Sequence, residues 1–192
     1  MVDTKELPII AFSSAEKFET WLAKNQSDAK GLWIHFYKKD SGKKSITYKE
    51  ALDVALCYGW IDGHVKPYDD ISWIHKFTPR RPKGKWSKKN KENVTRLITE
   101  KRMTPAGQKE VDAAKKDGRW DDAYDSQSNA VVPEDFLKLL EKNKKAKEFF
   151  ATLNKANIYA ITYRLQTAKK PETREKRMKL ILEMMKKGEK FH

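Results

Sequence analysis

A carboxylate, an imidazole and an indole lie close together in one short segment, and these groups could support catalysis. Asp62 and His64 are two residues apart in the segment Trp60–His64, so on a strand both side chains point to one face. A carboxylate in that position can orient an imidazole for general acid–base chemistry. The segment contains no identifiable nucleophile, and a surface pair beside Gly63 in a hairpin is the simpler interpretation. An enzyme or small-ligand receptor that uses Asp62 and His64 stays open as an alternative function.

A basic segment offers a second kind of chemistry, the binding of an anion. Residues 79–102 contain ten Lys or Arg and two Glu, a net charge of +8. Arg80 and Arg81 can each donate paired hydrogen bonds to a phosphate or a carboxylate. Ser87 and the amides that follow it lie at a predicted helix start, where free N–H groups favour negative charge. We therefore predict a site for an anionic ligand here.

Trp86 lies inside the basic segment, as aromatic residues do in proteins that bind single-stranded nucleic acid. Nucleic acid is accordingly one candidate for the anion. Two alternatives are a solvated basic surface and charge pairing with residues 103–141, whose net charge is −4. An acidic protein partner in a stress response is a further alternative. The residues predicted to bind the ligand are Arg80, Arg81, Trp86, Ser87, Asn90, Trp60 and Asp62.

The sequence favours a binding protein over an enzyme, and we predict neither a metal nor a cofactor. It has four His and a single cysteine, Cys57, without the paired spacing typical of metal ligands. It contains no Gly-x-Ser-x-Gly, no phosphate-binding glycine loop and no dinucleotide fingerprint. Cys57 lies between Leu56 and Tyr58 on a predicted helix, which indicates a small core residue.

Short apolar runs that alternate with helix signals predict an α+β fold for residues 1–78. We expect strands over Pro8–Phe12, Leu32–Tyr37, Trp60–Val65 and Ile71–Phe77, with a turn at Pro67–Asp70 and a mostly antiparallel sheet. Both faces of the second strand are apolar enough to be covered. Capping-box spacings at Ser13–Glu16 and Thr47–Glu50 predict two helices.

Helical periodicity dominates residues 79–192, which we predict as a helical subdomain packed on the first or as part of one domain. Helices are expected from Ser87, Thr104 and Pro133 onward. The last helix carries Met178, Ile181, Leu182 and Met185 at helical spacing, a stripe that is typical of core packing. Its cationic face leaves a membrane surface or a partner groove as alternatives.

Composition excludes several classes of protein. The chain has 192 residues, 11% of them aromatic, which is too much core material for a disordered tail. Its longest uncharged apolar run, Val54–Ile61, is far shorter than the roughly 20 residues of a membrane-spanning helix. The first twenty residues include Asp3, Glu6, Glu16 and Glu19 and no apolar core of a secretory signal. We therefore expect a cytoplasmic protein, whose oligomeric state the sequence leaves open.

Several local motifs together resemble those of the YdeI or OmpD-associated family, also called bacteriocin-protection proteins. The motifs that carry the resemblance are Ala55–Gly63, Phe77–Lys83 with Trp86, Ser87 and Asn90, Arg102–Gly107, Asp117–Trp120, Ala123–Tyr124 and Ala168–Arg174. The resemblance implies a bacterial protein linked to protection against bacteriocins or antimicrobial peptides, without an assigned reaction. A chain with a net charge of +14 repels cationic peptides, so direct capture of such peptides is disfavoured.

Overall fold

A computed structural model describes residues 7–191, so Asp3 and Glu6 of the acidic N-terminal stretch lie outside the described residues. The backbone divides into two compact units. The N-terminal unit comprises the described residues up to Trp86 together with Asn90–Asp122. The C-terminal unit comprises Ser87–Lys89 and the residues from Ala123 onward. The predicted subdomain boundary near residue 79 stays a prediction.

From residue 7 onward, the described part of the N-terminal unit is built around a four-stranded sheet. Its strands, in chain order, are β1 (Ile9–Ile10), β2 (Leu32–Tyr37), β3 (Trp60–Asp69) and β4 (Ser72–Pro79). In space the order is β1-β2-β4-β3, with β1 parallel to β2 and the other neighbours antiparallel. The predicted α+β class is confirmed, and the sheet is mixed because the short β1 pairs in parallel.

The hairpin of β3 and β4 differs from the prediction at its turn. Pro67 was expected to lie in the connection, but it is paired opposite Trp73 within β3. The strand tolerates a proline because β3 is an edge strand, so one side of its backbone needs no ladder hydrogen bond. Asp69 makes the turn instead: its Oδ1 accepts the backbone N–H of Ile71 and the hydroxyl of Ser72.

Helices α1 (Ala15–Asn25) and α2 (Tyr48–Cys57) cover one face of the sheet. Leu32, Ile34 and Phe36 of β2 are buried there with Phe18 of α1, which follows from the alternation of side chains along a strand. Trp33, His35 and Tyr37 point to the other face and stay partly exposed, whereas Ile74, opposite His35 on that face, is buried. The second face is therefore covered only in part.

The two predicted helix starts in this region differ in their capping. Thr47 forms the predicted capping box, since its hydroxyl accepts the N–H of Glu50 and the Glu50 carboxylate accepts the N–H of Thr47. The first helix has Ser14 as its N-cap residue, and no side-chain hydrogen bond caps it.

Helices α3 (Lys88–Thr99) and α4 (Pro105–Lys116) follow the sheet, and α4 begins against the end of α2. The hydroxyl of Thr104, the N-cap residue of α4, donates to the carbonyl of Cys57 at 2.7 Å and accepts the N–H of Gly107. Gly107 is buried so closely that a β-carbon there would lie 2.1 Å from the same Cys57 carbonyl oxygen. Only glycine therefore permits this helix contact.

In the part of the C-terminal unit that the structure describes, the chain after Ala123 forms the helices α5 (Glu134–Glu141), α6 (Lys144–Ala151), α7 (Lys155–Gln166) and α8 (Pro171–Lys187). Phe136, Leu140 and Leu165 form its core with Ile181 and Met185. The prediction that the stripe on the last helix packs in a core is confirmed, because Ile181 and Met185 are fully buried. None of the helices in residues 7–191 combines the length and apolar character needed to cross a membrane.

Cys57 is expected to react very slowly with thiol reagents while the protein is folded. It is buried at the end of α2, and burial raises the pKa of its thiol to about 11. At pH 8 only about one molecule in a thousand then carries the reactive thiolate. Labelling with Ellman's reagent at pH 8 tests this, with the denatured protein as control. A labelling rate in the folded protein equal to that of the denatured chain would contradict it.

Candidate functional site

The arginine–tryptophan loop, residues 80–86, is packed against itself. The guanidinium carbon of Arg80 lies 3.6 Å from the centre of the Trp86 ring, and the Trp120 ring lies 5.0 Å from Trp86 on an inclined plane. Arg80 also donates from Nη1 to the Lys85 carbonyl. Because Trp86 is only 2% exposed, it offers no free face to a base. Arg80 and Trp86 therefore organise the loop by stacking on each other.

The other residues of the predicted site have different surroundings. Arg81 is exposed, and the carbonyl of Gly84 in the same loop accepts a hydrogen bond from Arg119. Asn90 lies in the first turn of α3. Ser87 belongs to the C-terminal unit, where its backbone bridges to that of Tyr124.

Some of the basic segment is neutralised by the acidic stretch that follows it. In the N-terminal unit, the Lys91 ammonium lies 3.6 Å from Asp121 and donates to the Trp120 carbonyl. In the C-terminal unit, the Lys88 ammonium lies 2.7 Å from Asp125, and this contact lowers the pKa of Asp125. Ion pairs with the acidic stretch therefore neutralise part of the positive charge of residues 79–102. This is one of the alternatives to ligand binding that the sequence left open.

Two predicted residues, Trp60 and Arg80, line a single pocket of the N-terminal unit with a volume of about 300 Å³. The first turn after α2 and the end of β4 meet there, and the backbone N–H of Arg80 donates to the Gly59 carbonyl at 3.0 Å. The pocket walls come from four segments: Gln26–Ser27 after α1, Tyr58–Trp60, Pro79–Arg80, and Ala106, Lys109 and Glu110 of α4. The volume is at the lower end of those that hold small organic ligands.

The charge around this pocket favours an anion. Arg80 and Lys109 bring two positive charges, against one negative charge from Glu110. The exposed ammonium of Lys109 has no ion-pair partner among residues 7–191. Ala106 belongs to the first turn of α4, and the amino end of a helix adds a positive partial charge.

Tyr58 adds a hydrogen-bond donor to the pocket wall. Burial raises the pKa of the Tyr58 phenol, and the carboxylate of Glu19 acts in the same direction. The phenol is therefore protonated at neutral pH and can donate to an anionic or neutral oxygen. Gln26 and Ser27 supply an amide and a hydroxyl beside it.

Asp62 does not line the pocket, and it does not pair with His64 as predicted. The register between β3 and β4 shifts between Asp62 and Val65, so the strict alternation of side chains is broken and His64 is exposed. The Asp62 carboxylate instead accepts the Tyr48 hydroxyl at 2.8 Å and lies 3.7 Å from His75 Nε2. The Tyr48 and His75 rings are stacked, with centres 5.0 Å apart.

This Tyr48–Asp62–His75 cluster joins the start of α2 to the sheet. Burial, followed by the neighbouring Asp62 charge and its hydrogen bond, raises the pKa of Tyr48 well above its usual value. A phenol held in its protonated form is a poor general acid or base near neutral pH. The cluster therefore has the properties of a structural contact. Within residues 7–191 no group of three or more His, Cys, Asp or Glu is arranged to hold a metal ion.

Sequence reasoning missed most of the pocket. Lys109, Glu110 and Tyr58 lie outside the basic segment and belong to helices or turns with ordinary composition. The available signal was Gly107 in the first turn of α4, since a glycine inside a helix indicates a close approach of another backbone. That approach brings α4 to the Tyr58–Trp60 turn.

Comparison with known proteins divides the chain in two. Residues 10–110, more than half of the chain, match a family model described as a domain of unknown function, DUF8412. Residues 129–188 match the model described as Bacteriocin-protection, YdeI or OmpD-Associated. No curated protein and no solved structure was found to match.

These matches confirm the family recognised in the sequence and show where it applies. The motif Ala168–Arg174 lies in the second matched region, whereas Ala55–Gly63 and Phe77–Lys83 lie in the first. The chain therefore belongs to the DUF8412 family and carries, over residues 129–188, a Bacteriocin-protection, YdeI or OmpD-Associated domain.

Proposed function

We propose that the N-terminal unit binds a small organic anion, a carboxylate or a phosphate ester, in the pocket lined by Arg80 and Lys109. The observation that carries the proposal is the placement of these two cationic residues around one pocket of about 300 Å³ at the amino end of α4. Lys109 is exposed and can meet the anion directly. Arg80 is buried against Trp86, so it fixes the pocket wall and adds positive potential.

The rest of the pocket sets the kind of anion. Tyr58, Gln26 and Ser27 supply neutral polar groups, and Pro79 supplies an apolar contact. Trp60 is 1% exposed, so it supports the wall from the core. A ligand with one charged end and a small apolar body satisfies both kinds of contact. Glu110 is an acidic residue of the wall, so it opposes the negative charge of the ligand and lowers its affinity.

This proposal also suggests how the chain could take part in bacteriocin protection, the activity named in the description of its second domain. A net charge of +14 opposes direct capture of cationic peptides. Protection would then depend on a ligand-bound cytoplasmic protein. A strain that lacks the protein, complemented with the wild type or with a pocket variant, tests that connection.

Lys109→Gln is expected to weaken binding of phenyl phosphate about tenfold, because it removes the exposed cation beside the pocket. Ligand affinity is measured by calorimetry and by the rise in melting temperature with ligand concentration. Lys116→Gln, in the exposed last turn of α4, removes the same charge outside the pocket and is the matched control.

Glu110→Gln is expected to have the opposite effect to Lys109→Gln. Loss of the acidic group should raise the affinity for phenyl phosphate severalfold. Benzyl alcohol, which has the aromatic body without the charge, should bind far more weakly. Equal effects of Lys109→Gln and Lys116→Gln would show that only the overall charge matters and would exclude the pocket.

A further inference from the structure

The face of the sheet opposite α1 and α2 carries a set of partly exposed aromatic side chains that the pocket does not use. Trp33, His35 and Tyr37 alternate with the buried residues of β2 and stay partly exposed. Tyr68 of β3 is 52% exposed, and its ring centre lies 4.5 Å from that of His35. The His35 ring lies 4.6 Å from Tyr37 on its other side. We call Trp33, His35, Tyr37 and Tyr68 the aromatic face.

Lysine side chains lie over or beside the same rings. The ammonium of Lys66 is 4.6 Å from the centre of the Trp33 ring, and that of Lys43 is 5.1 Å from the Tyr37 ring. Lys76 is paired opposite Trp33 in the sheet, so its side chain points to the same face. Three cations are therefore interleaved with four aromatic rings on one surface of the N-terminal unit.

Asp69 lies at the turn end of the hairpin, and its carboxylate interacts electrostatically with His35 and Lys43. Its carboxylate is occupied by the Ser72 hydroxyl and the Ile71 N–H, and Ser72 also contacts His35 Nε2 at 2.8 Å. These contacts hold the His35 ring in place between its aromatic neighbours. Lys43, Lys66 and Lys76 outnumber Asp69 on this face, and the His35 ring is inclined by 42° to Tyr37 and by 53° to Tyr68.

We propose that the aromatic face binds single-stranded nucleic acid. Bases stack on partly exposed Trp33 and Tyr68, while the ammonium groups of Lys43, Lys66 and Lys76 meet the phosphates that run between the bases. Stacking on aromatic residues accepts any base, because every base has a π surface. A duplex hides its base faces, so the same surface binds it poorly. An acidic protein supplies the charge but not the planar bases.

The test is fluorescence anisotropy of the full chain with a fluorescein-labelled oligothymidylate of about 12 nucleotides, a length typical of such sites. Tyr68→Ala is expected to weaken binding about tenfold, and Tyr68→Phe to retain it, because phenylalanine preserves the ring. Tyr68 is half exposed, so neither change threatens the fold. Trp33→Ala, checked for folding by circular dichroism, gives a second reduction of similar size.

The contribution of the lysine–phosphate contacts is tested separately, by the salt dependence of binding. With three phosphates neutralised, log K should fall with log salt at a slope of about −2 for a single strand. Lys66→Gln should reduce that slope, whereas Lys24→Gln, on the exposed side of α1, should leave the affinity almost unchanged. Lys109→Gln should also leave it unchanged, so this proposal and the pocket proposal can fail independently.

Several results would overturn the assignment. One is equal binding of the single strand and its duplex. Another is full affinity in Tyr68→Ala or Lys66→Gln. Displacement of the oligonucleotide by polyglutamate at equal charge concentration would show a general polyanion surface instead, and absence of binding at low salt would exclude the face altogether.

Discussion

Replacing Gly107 with alanine is expected to lower the free energy of unfolding by about 3 kcal/mol or more, among the larger effects of a single methyl group. The new β-carbon would lie 2.1 Å from the Cys57 carbonyl oxygen and 2.9 Å from that of Leu56. Both contacts are with backbone, which cannot move aside as a side-chain end can. The start of α4 must therefore separate from α2, and the Thr104 hydrogen bonds to Cys57 are strained or lost.

Urea unfolding followed by circular dichroism measures this effect. Gly63→Ala is the matched control: the nearest atom to its added β-carbon is 3.7 Å away, and its backbone conformation is open to any residue. That change should alter stability by less than about 0.5 kcal/mol or raise it slightly. If Gly107→Ala were as stable as the wild type, the two helices could not be packed as closely at Gly107 as the structure shows.

Trp86→Ala is expected to cost about 3–5 kcal/mol, the range for truncation of a buried aromatic residue. The indole is 2% exposed and is packed between the Arg80 guanidinium and Trp120. Its loss leaves a cavity under the arginine–tryptophan loop and removes the surface on which Arg80 stacks. We therefore expect the pocket to lose phenyl phosphate binding as well, since Arg80 forms part of its wall.

Trp86→Phe separates packing from hydrogen bonding. The indole Nε1 is buried without a hydrogen-bond partner in the described part of the chain, so phenylalanine removes a donor that makes no bond. We expect this variant to lose only about 1 kcal/mol and to keep its oligonucleotide affinity. Because phenylalanine still stacks on a base, Trp86→Leu tests stacking, and a specific loss of oligonucleotide binding in folded Trp86→Leu would restore Trp86 as a base-stacking residue. Paired unfolding and anisotropy measurements distinguish these results.

Local chemistry explains which elements were predictable. Thr47 and Glu50 form their capping box from residues three positions apart, so no distant contact is needed. Thr104 followed by Pro105 starts α4 for the same reason. In the C-terminal unit, the spacing of Met178, Ile181, Leu182 and Met185 already places one face of α8 toward a core.

The sheet shows where such local signals fail. Pro67 is a turn residue by composition, yet it lies inside β3 because that strand has a neighbour on one side only. Strict alternation along β3 predicted that Asp62 and His64 share one face. The register shift between Asp62 and Val65 breaks that alternation, and Asp62 contacts His75 instead. Edge position and bulges belong to strand pairing, which depends on residues far apart in the chain.

The amino-acid sequence alone determined the α+β class, most helix starts, the excess of positive charge and the relation to bacteriocin-protection domains. Tertiary structure decided which of the charged and aromatic groups are accessible. It buried Trp86 against Arg80, placed Lys109 at the pocket with Trp60, and left Trp33 partly exposed and Tyr68 exposed on the second face of the sheet. The reason is physical: residue type fixes what a side chain can bind, but exposure depends on which distant segments pack over it.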